Sequence, residues 1–268
     1  MKNKSSITII LLISLYIPAL IGIGMENNKP KFKVVVLGSA GGIEEDNLSS
    51  YLIAPVKSNN YAAIDAGTLL SGIKKAVQTG SLSDIDYPHD ADLSLEGYIL
   101  QNNIKAYVLT HAHLDHIAGL IINSPSDTNK NIYATRATIE NLKNNVFNWE
   151  IWPNFGNEGV GFHIHKYSYI TLKPGKETKL SEVALSLMPF SLSHGNGHYP
   201  STAFLIKSNG SYVLFIGDTA PDSIENSENL KNIWAYTAPL IMKKKIRAIF
   251  IESSFANERP DHKLYGHL

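Results

Sequence analysis

Between Thr110 and Gly119 the chain reads THAHLDHIAG, and within it His111, His113, Asp115 and His116 are all residue types that bind metal ions. A hydrophobic run, Ala106 to Thr110, precedes them, and a short helix is expected to follow. On an extended segment alternate side chains share a face, so His111 and His113 can grip one ion. Asp115 and His116 fall at the turn into the helix, where the backbone rotates them towards a neighbouring point. Two pairs aimed at adjacent points are what a dinuclear hydrolytic site needs. His163-Ile164-His165 has the same His-x-His spacing but no Asp-His after it, and is assigned to structure or surface.

Two ions of four or five coordination need further ligands, and the downstream half has candidates. His194 follows a strand-like run in SLSHGNGHY, Asp218 follows another in FIGDTAPD, and His267 sits in KLYGHL. A carboxylate at Asp218 could bridge both ions. Each of these three, taken alone, also reads as an ordinary loop residue.

The elements that must position these groups are short strands and amphipathic helices. Strand-like runs lie at Phe32 to Leu37, Ser50 to Ala54, Tyr61 to Ile64, Ala106 to Thr110, Ala184 to Met188, Ser201 to Ile206, Tyr212 to Ile216 and Ala248 to Ile251. Apolar residues recur at helical spacing over Leu69 to Gln78, Leu93 to Gln101, Thr135 to Asn144 and Ala235 to Lys245. Two sheets with helices outside are expected. Gly38-Ser39-Ala40-Gly41-Gly42 lacks the spacing and the Lys of a phosphate cradle and precedes Glu44-Glu45-Asp46, so it reads as a tight turn.

Composition narrows the chemistry. With 24 Lys plus Arg against 24 Asp plus Glu, the chain carries no electrostatic footprint for nucleic acid or an anionic membrane. It has no Cys, so thiol nucleophiles, disulfides and thiolate metal sites are excluded, and any metal must be held by His and carboxylate. At the N-terminus, Lys2 and Lys4 precede an apolar run from Ile7 to Ile23, which reads as an export signal spanning residues 1–24, cleaved after Gly24. The expectation is an exported protein, periplasmic or secreted, whose residues 25–268 form one hydrolase domain. An uncleaved anchor is the alternative.

His111-Ala-His-Leu-Asp-His116 resembles the metal-binding motif of the metallo-β-lactamase superfamily. Its continuation through Ile117-Ala-Gly-Leu-Ile-Ile-Asn-Ser-Pro125 is similar to the narrower signature of class II cyclic-nucleotide phosphodiesterases. Further similarity lies in Gly38 to Asn47, Ile64 to Thr68, Leu192 to Gly195, Ser201 to Leu205, Gly217 to Asp222, Ile251 to Phe255 and Leu264 to Leu268. The resemblance implies a mixed α/β fold, an αββα four-layer sandwich, with two divalent ions at one edge, usually zinc, with manganese or iron as alternatives. It implies that His111, His113 and His194 hold the first ion, that Asp115, His116 and His267 hold the second, and that Asp218 bridges. Asp65 resembles the superfamily's carboxylate that orients a ligand imidazole. The chain stops one residue after His267, where family members usually continue, as a fragment would.

The implied reaction is hydrolysis of 3′,5′-cyclic nucleotides, a small-molecule substrate, by in-line attack of water at phosphorus and expulsion of the ribose 3′ oxygen. Asp115 is the catalytic carboxylate of the motif, and His198, on the loop after His194, is the candidate general acid, with a solvent-exposed loop histidine as the alternative. Two competing readings share the ligands: another hydrolase of this fold acting on a lactone, thioester or aryl sulfate, and a non-enzymatic, exported zinc-binding protein.

Overall fold

Strands apolar on both faces must be covered on both faces, and this alternation builds the layers of the molecule. The computed structural model describes residues 29–254 apart from 43, 89 and 196, together with 260, 263 and 267. The expected signal segment, residues 1–24, lies outside the described residues. The unit Phe32–Leu268 contains two sheets. The first has the order β1 (Phe32–Gly38), β2 (Ser50–Pro55), β3 (Tyr61–Ile64), β4 (Ile104–Val108), β5 (Lys130–Thr135), β6 (Tyr167–Leu172). Its first two pairings are antiparallel and the remaining three parallel. The second sheet runs β11 (Ile246–Phe250), β10 (Ser211–Ile216), β9 (Tyr199–Ser208), β8 (Leu185–His194), β7 (Thr178–Leu180). There β10 and β11 are parallel, and the other pairs antiparallel.

Side chains two apart on a strand point the same way, and this sorts them between cores. In β3, Ala62 and Ile64 face the second sheet, while Tyr61 and Ala63 face a core built with helices. In β10, Val213 and Phe215 enter the space between the sheets, and Leu214 and Ile216 pack on the far side. The helical layer on the first sheet contains α1 (Leu70–Gln78), α2 (Leu95–Asn102), α3 (Leu114–Asn123) and α4 (Arg136–Asn145). A short α5 (Asp222–Glu225) precedes α6 (Asn229–Met242), which lays Leu230 and Ile233 against the outer face of the second sheet. The order of layers is helix, sheet, sheet, helix.

Three strands, β5, β6 and β7, were not among the expected runs. Lys130 and Asn131 disguise the start of β5, whose Ile132 and Tyr133 are nevertheless buried. The helix expected from Ala235 begins six residues earlier, at Asn229, because Leu230 and Ile233 supply its apolar face. Among the described residues no helix is long and apolar enough to cross a membrane.

Candidate metal centre

The carboxyl ends of β3, β4, β10 and β11, each parallel to a neighbour, lead into the segments that carry Asp65, His111, Asp218 and Glu252, the usual place for chemistry beside parallel strands, and His194 is the last residue of β8. His113 occupies the N-cap position of helix α3 without a side-chain capping bond, so Asp115 and His116 fall in the first helical turn. The helix is held there by close backbone contact. Ala66 N–H donates to His116 O at 2.7 Å, and Gly119 N–H to Gly67 O at 2.9 Å. A Cβ on Gly67 would lie 1.9 Å from Asp115 O, so only glycine allows this approach.

Three overlapping groups of ligand-type side chains result: His111, His113, His194; His111, His116, Asp218; and His194, Asp218, His267. Within each group the donor atoms lie within 4.8 Å of one another. Asp115 Oδ2 lies 3.6 Å from His116 Nε2, beside the second group. All seven expected ligands thus converge on one place. His198 is not in these groups. It is exposed on the turn joining β8 to β9, its N–H donating to Gly195 O at 3.3 Å. His163 and His165 also stand apart from them, with His163 Nε2 3.0 Å from Gly159 O.

Asp65 is buried in the left-handed region at φ 54°, a conformation uncommon outside glycine. Its Oδ1 accepts the Thr110 N–H at 2.8 Å and its Oδ2 lies 2.8 Å from His116 Nδ1. The contact turns His116 Nε2 towards Asp218 Oδ2, 3.3 Å away. Burial alone would lower the pKa of His116, but Asp65 and Asp218 more than reverse this and hold it well above the usual histidine range. For His111 burial dominates, with His116 adding to it, and the ring is pushed well below its ordinary value. Burial likewise lowers His113, assisted by His194. Burial would raise Asp218, yet His116 and His111 hold it below the usual carboxylate range.

This donor set fits a divalent ion. Among the described residues His111 Nε2 is buried with no hydrogen-bond partner, while its Nδ1 lies 3.0 Å from Thr110 Oγ1. A neutral imidazole with one nitrogen occupied and the other aimed into imidazoles and carboxylates is what zinc-like ions take. Beside the cluster lies a cavity of about 890 Å³, walled by Asp115, His116, Asp218 and by Gly41, Tyr51 and Phe250. Its volume suits a small organic ligand. The loop expected to be a tight turn, Gly38 to Gly42, forms part of its rim, with Gly42 at φ 77°.

Two participants escape a reading of the motif. Tyr199 stacks on His113 at 4.2 Å between ring centroids, and its hydroxyl accepts from Asn141 Nδ2 at 3.1 Å. Glu252 follows β11 as Asp218 follows β10, an acid just beyond an apolar strand, and that placement is the signal that could have found it.

The model of the family described as cAMP phosphodiesterases class-II matches residues 31–268. A 3′,5′-cyclic-nucleotide phosphodiesterase of Aliivibrio fischeri is 43% identical over 238 residues, spanning 88% of this chain and 72% of that protein. Among solved structures, unliganded yeast PDE1 is similar with a TM-score of 0.75 and 25% identity, over 90% of this chain and 80% of that one. The metallo-beta-lactamase fold protein YhfI from Bacillus subtilis is similar with a TM-score of 0.54 and 17% identity, over 88% of this chain and 77% of that one. The two packed sheets are therefore those of the metallo-β-lactamase fold, and the donor groups at its strand ends could hold metal ions.

Proposed function

This chain belongs to the class-II cAMP phosphodiesterases, and from that premise we propose how its residues convert 3′,5′-cyclic nucleotides, cyclic AMP among them, to nucleoside 5′-monophosphates. It is a 3′,5′-cyclic-nucleotide phosphodiesterase. The observation that carries the site assignment is the overlap of three donor groups at one set of strand ends. His111, His113 and His194 would hold one ion, Asp115, His116 and His267 a second, and Asp218 would reach both. Zinc suits these donors best, and manganese and iron accept them. Ions held there would supply charge to neutralise phosphoryl oxygens and would lower the pKa of water from about 15.7 towards about 7.

The protein's own residues prepare the rest. Burial keeps His111 neutral, and Asp65 fixes which nitrogen of His116 faces the cluster. The cavity beside Asp115 and Asp218 receives the nucleotide, its cyclic phosphate towards the carboxylates' ligand cluster and its base towards the rim. Water adds to phosphorus opposite the ribose 3′ oxygen, that P–O bond breaks, and the departing oxygen takes up a proton. His198, on the exposed turn next to His194, is the proposed donor. The cationic start and the apolar run from Ile7 to Ile23 support export, which directs the activity to periplasmic or external nucleotide.

Purified protein should release 5′-AMP from cyclic AMP, lose that activity to a chelator and regain it with zinc or manganese. Turnover that survives metal removal, or cyclic AMP left intact by metal-loaded protein, contradicts the reading.

A further inference from the structure

Asp65 has a counterpart on the second sheet. Asp65 follows β3 and binds two things at once: the Nδ1 of one candidate ligand, His116, and the backbone N–H of Thr110, next to another, His111. Glu252 follows β11 and repeats the arrangement. Its Oε2 lies 2.7 Å from His267 Nδ1, and its Oε1 accepts the N–H of Thr219, the residue after Asp218, at 2.8 Å. The Thr219 hydroxyl in turn donates to Ser193 O at 2.8 Å, immediately before His194. Ser254 Oγ adds a bond of 2.6 Å to Glu252 Oε2. Glu252 and its partner Thr219 thereby touch or adjoin His194, Asp218 and His267, which are the members of one donor group.

We propose that Glu252 is the positioning residue of that group, the partner of Asp65 in a two-carboxylate scaffold. The proposal rests on the ligand assignment above. Its chemistry is a choice of tautomer. A carboxylate accepts only, so His267 donates Nδ1–H to it, and Nε2 is then the ring nitrogen that would carry the lone pair for an ion. The bond to Thr219 fixes the backbone carrying Asp218, so a single side chain sets two ligands on the loops at one side of the cluster. Partners of this kind typically contribute about 10- to 100-fold to metal affinity.

Glu252→Gln tests this. The glutamine keeps an oxygen for the Thr219 N–H and presents an amide N–H₂ to His267, which must then carry its proton on Nε2. Zinc affinities should be measured by chelator competition on the full chain, with cobalt absorption reporting each ion and with thermal unfolding of the metal-free protein. The expected result is two ions in the wild type. In E252Q the ion that His267 would hold should bind about 10- to 100-fold less well, the other should be unchanged, and metal-free unfolding should be unmoved. Glu252→Asp, one methylene short of spanning both partners, should weaken the ion that His267 would hold more than the other, and it carries the test where E252Q does not fold. Wild-type affinities for both ions in either variant overturn the proposal, as does an equal loss of both ions with a lowered unfolding temperature. A wild-type chain taking fewer than two ions overturns the ligand assignment itself, a separate failure.

Discussion

Asp218→Ala should reduce kcat/KM for cyclic AMP by more than about 100-fold, beyond the cost of losing an orienting partner, and should lower metal content with it. Asp218 belongs to two of the three donor groups, and its Oδ2 lies 3.3 Å from His116 Nε2, 3.9 Å from His111 Nε2 and 3.6 Å from His267 Nδ1. Removing it withdraws the negative charge shared by all three imidazoles. Asp218→Asn, which keeps the shape and removes the charge, should fall in the same direction, since zinc takes carboxylate oxygen and imidazole nitrogen and the neutral amide supplies no charge to the ions. His163→Ala, whose ring stands outside the donor groups, is the control and should remain near wild type. Metal analysis alongside steady-state rates makes the check, and full activity with full metal content in Asp218→Ala would remove Asp218 from the site.

Gly67→Ala should be the most damaging single-methyl change. Its Cβ would fall 1.9 Å from Asp115 O and 2.7 Å from Leu48 Cβ, so backbone must move. The segment cannot retreat easily: Gly67 N–H donates to Ser49 O at 2.9 Å and Gly67 O accepts from Gly119 N–H at 2.9 Å. The turn is thus clamped between the segment entering β2 and helix α3. Overpacking of this kind costs about 1–3 kcal/mol of stability, and the shift it forces lands on the turn that presents Asp115 and His116. Activity should therefore fall by more than the loss of folded protein explains. Gly97→Ala, in α2 with its nearest neighbour at 3.5 Å, is the matched control and should be neutral or stabilising by up to about 1 kcal/mol. Denaturant midpoints and kcat/KM measured on both variants decide the point. Wild-type behaviour of Gly67→Ala would show that α3 does not depend on this contact.

The part of the site legible in sequence is the part that is local. His111, His113, Asp115 and His116 lie on a strand end and the first turn of a helix, so their relative directions follow from backbone geometry alone. His194, Asp218 and His267 are separated from them by whole strands, and only the resemblance to a known family joined them to the cluster. The structure brings them together because β8 and β10 direct their carboxyl ends to the same side and His267 is hydrogen-bonded to Glu252, just beyond β11. Tyr199 acts through a contact set by tertiary packing, with no spacing to announce it, whereas Glu252 is marked only by its place just beyond an apolar strand. The same limit applies to the fold. Strands such as Tyr212–Ile216 carry plain apolar runs, whereas β5 opens with Lys130 and Asn131, polar residues whose burial depends on what surrounds them. The layering was legible in kind because strands and amphipathic helices must cover one another. The register and the sheet order were not, since they depend on pairings between distant segments.

The central claim is that water attacks phosphorus in line at this cluster of histidines and carboxylates. Hydrolysis of 3′,5′-cyclic AMP in isotopically labelled water, followed by mass spectrometry of the product, tests it most directly. The account predicts 5′-AMP with the label on the phosphate and none on the ribose 3′ oxygen. Label on the ribose 3′ oxygen, or 3′-AMP as the sole product, would contradict it.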